Sequence, residues 1–117
     1  MTLAAHDGQK ITAVCGYRNW DGIGVEVLIA GEGMWAKPHV IEAFFEYPFQ
    51  QLNARRLWAV VDASNKACQR FLHKLGFVRE GVLRDAADDG DRYLYALLRN
   101  DYGQEKRAGN TAATETD

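Results

Sequence analysis

The spacing of apolar residues shifts along the chain, and each shift predicts an element. Residues 10–18, KITAVCGYR, are rich in strand formers, with Ile11, Val14, Cys15 and Tyr17 among them. Asn19-Trp20-Asp21-Gly22 follows, and an Asp-Gly pair between two such runs predicts a hairpin turn. The returning arm, residues 23–30, is short and mostly apolar, with Glu26 its one charged side chain and Gly31-Glu32-Gly33 its stop.

The period then lengthens. Val40, Ile41, Phe44, Phe45, Phe49 and Leu52 fall on one helical stripe. Pro38 suits the first turn of that helix, where an N–H has no intrahelical partner. Pro48 lies inside the stripe and cannot donate to the Phe44 carbonyl, which predicts a kink or an early end. Residues 56–62, RLWAVVD, form an apolar run of strand length and predict a buried central strand. Ser64 or Asn65 then offers an N-cap, Ala67, Cys68, Phe71, Leu72 and Leu75 form a second stripe, and Gly76 sits where a left-handed terminator belongs. Residues 77–84 and 92–99 complete two further strands around an acidic, solvated loop at 85–91.

This order predicts one domain over residues 1–102, an α/β (α+β) fold with a mixed, mostly antiparallel sheet and two main helices packed on it. From residue 103 onward GQEKRAGNTAATETD has no large apolar side chain and reads as a disordered tail. Composition narrows the function classes. An apolar fraction of 47% supports a core, while 16 acidic against 14 basic residues, without a long run of either sign, speak against nucleic acid as a partner. No apolar run reaches the roughly 20 residues that span a bilayer, and MTLAAHDGQK is not a signal peptide, so a cytoplasmic location without membrane contact is expected. Cys15 and Cys68 read as free thiols, and His6, His39 and His73 lack metal spacing.

The segment 62–85, DASNKACQRFLHKLGFVREGVLRD, is very similar to the GNAT superfamily of acetyl-CoA dependent N-acetyltransferases, most of all to the branch of ribosomal-protein N-terminal acetyltransferases. Asn65, Ala67, Leu75, Gly76, Phe77, Glu80, Gly81, Leu83 and Arg84 carry the likeness. It implies that acetyl-CoA lies in an opening between the strands at 23–30 and 56–62, with its pyrophosphate on the amino end of the helix near Lys37. Trp35, Ala36, Lys37, His39, Val40 and Asn65 are the cofactor-contacting residues so implied. Phosphate suits a helix start, where unpaired N–H groups and the positive end of the dipole point outward. The family motif is altered here. Ala36 and Pro38 occupy its two glycine positions and Ile41 replaces a frequent Thr, so a helix started by proline that binds no phosphate is the competing reading.

Acyl transfer needs a neutral amine, donors for a tetrahedral oxyanion and a proton for the leaving thiolate. The resemblance implies backbone N–H groups of residues 23–30 as oxyanion donors. Where many members carry a tyrosine acid this chain has Leu72. Cys68, one turn earlier on the same face, is then the candidate acid or a small core residue. Glu26 is the candidate base or an exposed strand residue. The aromatics Trp35, Trp58, Phe44, Phe45 and Phe49 read as core. The family opens with a strand and two helices that help to bind the acceptor. Some nine residues precede Lys10 here, so the fold is expected to lack them, leaving sheet edges through which a homodimer could form. Two functions of different classes follow: acetyl-CoA dependent acetylation of a primary amine, on a protein N-terminus or a small molecule, or a degenerate GNAT fold kept as a binding or structural module.

Overall fold

The structure, a computed structural model, describes residues 1–102 of the 117. The tail expected at 103–117 lies outside the described residues. The chain divides into two compact units, Met1–Leu57 and Trp58–Asp117.

The first unit is an antiparallel meander followed by a helix. Its strands are β1 (Thr2–His6), β2 (Ile11–Arg18) and β3 (Gly24–Gly31). β1 pairs with β2 from Thr2 opposite Gly16 to Ala5 opposite Ala13, and β2 pairs with β3 from Ala13 opposite Gly31 to Arg18 opposite Glu26. Both turns use the same chemistry. Asp7 Oδ1 accepts the N–H groups of Gln9 and Lys10 at 2.9 Å, and Asp21 Oδ1 accepts those of Ile23 and Gly24 at 2.8 Å. Gly8 (φ 95°) and Gly22 (φ 89°) supply the left-handed backbone beside them. Alternation along β2 sends Ala13, Cys15 and Tyr17 into the core.

Helix α1 (Pro38–Glu46) begins at the proline and stops short of Pro48, giving way to a π-helical turn at Tyr47–Gln51. The early end expected at Pro48 is therefore present, and its cause is visible. Residue 48 has no N–H for the Phe44 carbonyl, and the Tyr17 hydroxyl of β2 donates to that carbonyl instead. The Tyr17 and Tyr47 rings meet beside this bond in a tilted arrangement, with centroids 5.0 Å apart and planes at 51°. Phe44, Phe45 and Phe49 are buried, but Trp35 and Trp58 are only half-buried, so neither is a full core residue.

The second unit contains most of β4 (Arg56–Asp62), then α2 (Lys66–Lys74), β5 (Val78–Ala87) and β6 (Gly90–Leu98). Helix α2 has both caps that its sequence demands. Asn65 Oδ1 accepts the Cys68 N–H at 3.1 Å. At the far end Gly76 (φ 98°) donates to His73 and Phe77 donates to Leu72, a Schellman closure that buries Phe77 with Leu72. β5 and β6 form a hairpin closed by Ala87 opposite Gly90. The acidic loop expected over 85–91 is thus mostly strand, and only Asp88 and Asp89 make the turn. Asp85, at φ 55°, marks an irregularity within the ladder rather than a loop.

Six strands in the order β1-β2-β3-β4-β6-β5 give the mixed, mostly antiparallel sheet expected, with β1 as an addition to it.

Candidate functional site

The loop between β3 and α1 is shaped by one close packing contact. A Cβ at Gly31 would lie 2.5 Å from the Trp35 ring, so the absence of a side chain there lets the indole lie on the strand. Trp35 also meets the Phe44 ring at 6.1 Å. Held this way, the loop and the start of α1 border a hollow of about 430 Å³, in which Trp35, Lys37, His39 and Val40 face His6 and Lys10, with the carboxylates of Asp7 and Glu32 also in its lining. Four of the residues implied as cofactor contacts therefore line one concavity. Ala36, the fifth in the loop, is exposed and outside its lining.

The donors at this helix start can be counted. Pro38 has no N–H; Lys37 donates to the Trp35 carbonyl at 2.7 Å; Val40 and Ile41 both donate to the Lys37 carbonyl at 3.0 Å. The His39 amide takes no backbone partner among the described residues, and no side chain caps the helix. One backbone donor thus remains directed out of the first turn, with the dipole's positive end behind it. Lys10 is tied to Glu32 at 3.0 Å, whereas Lys37 and His39 make no ion pair among the described residues.

Glu26 is not on an exposed face. It is 5% exposed, and its carboxylate takes Arg18 Nε at 2.7 Å, Arg18 Nη2 at 3.1 Å and Asn19 Nδ2 at 3.0 Å. Three donors occupy all but one of the carboxylate's roughly four lone-pair sites, and they fix the end of the β2–β3 hairpin.

Asn65 and Cys68 belong to the second unit, while the other six predicted residues belong to the first. Asn65 is exposed, and with Oδ1 bound to the helix, its amide nitrogen has no partner among the described residues. Cys68 is half-buried, and burial pushes its thiol above the ordinary value. A thiol so shifted is a weaker acid than an ordinary cysteine. Sequence reasoning overlooked Gly31 as the seat of Trp35; the Gly31-Glu32-Gly33 run marked a stop without showing that the first glycine carries an indole.

No family model matches the chain. The chain is similar to p20 of Bacillus licheniformis, named an uncharacterized N-acetyltransferase, at 27% identity over 114 residues, covering 86% of this chain and 62% of that protein. It is similar to YnaD of Bacillus subtilis (strain 168), named likewise, at 31% identity over 65 residues, covering 52% of this chain and 38% of that protein. The chain therefore spans less than two thirds of either curated relative. Among solved structures, a mutant form of spermidine N-acetyltransferase SpeG from Vibrio cholerae superposes with a TM-score of 0.75 at 20% identity, over 86% of this chain and 66% of that one. At that identity the likeness is one of fold.

Proposed function

We propose that this chain, whose named relatives and structural neighbours support a GNAT-family N-acetyltransferase, transfers an acetyl group from acetyl-CoA to a small primary amine. The observation that carries this reading is the hollow at the amino end of α1, where an uncapped helix start, the His39 amide and Lys37, without an ion-pair partner among the described residues, meet. These features suit a pyrophosphate. Lys37 supplies the charge, the His39 amide supplies a donor, and Trp35 walls the hollow. Bound there, acetyl-CoA supplies the activated thioester.

What the chain itself contributes is binding and orientation. Glu26, held by three donors from Arg18 and Asn19, keeps the hairpin end in place and is assigned to anchoring rather than to proton transfer. Cys68, with its thiol shifted upward, holds its proton at neutral pH and donates it poorly, which favours packing over acid catalysis. The small amine is preferred over a protein N-terminus because a fold neighbour is named for spermidine.

The module reading draws on the same donor count, since Pro38 and the Lys37 carbonyl leave a single backbone N–H for phosphate. Release of CoA, followed with spermidine and with a short unblocked peptide as acceptors, separates these readings. Turnover with spermidine supports the proposal, turnover with the peptide alone moves the acceptor to protein N-termini, and no turnover with any amine leaves the module.

A further inference from the structure

The second unit carries a groove that the acyl-transfer reading does not use. It measures about 620 Å³ and is lined by Lys66, Gln69, Arg70 and His73 of α2 and by Arg79 and Tyr95 of the β5–β6 hairpin. No carboxylate lines it. Lys66, Arg70, His73 and Arg79 make no ion pair with any described residue. Lys66, Arg70 and Arg79 bring like charges together without a counter-charge in the lining, and an anion there would relieve their repulsion.

Two details show a built site rather than a solvated face. The Arg79 guanidinium lies 4.4 Å from the centroid of the Tyr93 ring, which orients its fork. Tyr95 is 3% exposed, yet its hydroxyl bonds to none of the described residues. No buried side-chain oxygen among the described residues lacks a partner, so that hydroxyl is not sealed off, and the opening that Tyr95 borders is this groove. A buried tyrosine ordinarily finds a hydrogen-bond partner, and here the partner's place is in the groove. Gln69 is fixed by its own bonds to the carbonyls of Asp62 and Ala63, so it braces the wall.

We propose that this groove is an anion site for a small phosphate-bearing molecule, separate from the acyl-donor site. Two guanidiniums favour the planar pairing that phosphate oxygens allow, and the volume is that of a small ligand. Its position argues for separateness. Cys68 marks the flank of α2 that the family likeness assigns to the donor, and it stands two residues from both Lys66 and Arg70, about 160° round the helix from each. The inference holds whether or not acyl transfer does.

A titration of the full chain with inorganic pyrophosphate, read by amide NMR shifts, tests it. Saturable shifts are expected at Lys66, Arg70, Arg79 and Tyr95, and they persist when acetyl-CoA is present. Arg70→Gln and Arg79→Gln, both at exposed positions, each weaken the binding read at these residues about tenfold. Tyr95→Phe weakens it about threefold, and Arg84→Gln outside the groove leaves it unchanged. Shifts absent from the groove, equal weakening by Arg84→Gln, or loss of the groove shifts on adding acetyl-CoA would overturn the proposal.

Discussion

Tyr17→Phe removes one oxygen from the first unit and should expose how the chain tolerates Pro48. The hydroxyl donates to the Phe44 carbonyl, which residue 48 cannot serve because a proline has no N–H. Tyr17 is 7% and Phe44 2% exposed, so the abandoned carbonyl has no ready access to water. The cost is then the full penalty of an unsatisfied buried acceptor, about 1–3 kcal/mol, rather than the smaller net worth of an exchangeable hydrogen bond. Pro48→Ala supplies an N–H at the right position, so in that background the loss of the hydroxyl should cost less, by about 1 kcal/mol. Urea unfolding of the four proteins of this double-mutant cycle, with unchanged slopes, gives the coupling energy, and the packing lost at Pro48 cancels within it. A Tyr17→Phe cost that is the same in the wild-type and Pro48→Ala backgrounds, within about 0.3 kcal/mol, refutes the compensation.

Three further outcomes follow from the structure. Gly31→Ala places a methyl 2.5 Å from the Trp35 ring and should destabilise by about 1–3 kcal/mol in urea unfolding, with most of that loss recovered beside Trp35→Ala; an additive pair would mean that the indole does not rest on the strand. Asp21, whose carboxylate is held below its ordinary value of 3.8 by the N–H groups of Gly24 and Ile23, contributes stability that is present above pH 3.8 and lost as pH falls through the lower folded value. Asp21→Asn should therefore flatten the acid limb of the stability profile, and an unaltered limb would remove Asp21 from this role. Cys68→Ala should leave turnover within about twofold of wild type; a drop of about tenfold or more at unchanged KM would make the thiol the acid after all.

The legibility of this fold depended on whether a residue's reason lay in its neighbours or across space. Asn65, Gly76 and the α2 stripe act through bonds a few residues long, so both helix ends could be read from spacing alone. The missing donor at Pro48 was equally local, but its replacement by Tyr17, 27 residues before Phe44, belongs to packing. β1 was overlooked although Asp7-Gly8 repeats the Asp21-Gly22 signal, because Thr2–His6 holds small residues and little apolar contrast. In the same way the hairpin turn at Asp88-Asp89 was hidden by acidity, which resembles a loop while the backbone continues as strand. Glu26 shows the limit for the candidate site. A lone acid in an apolar strand is visible, but Arg18 directly across the ladder decides whether it works as a base or as an anchor.

The central claim is that the start of α1 holds the pyrophosphate of acetyl-CoA despite Ala36, Pro38 and Ile41. Calorimetric titration with acetyl-CoA tests it most directly, run on the protein and on Lys37→Glu, which reverses an exposed charge in the hollow. The account predicts saturable binding that stabilises the fold by about 2.7 kcal/mol at roughly a hundredfold excess over Kd, weakened about tenfold or more by the substitution. Absence of binding, or binding indifferent to Lys37→Glu, would contradict it.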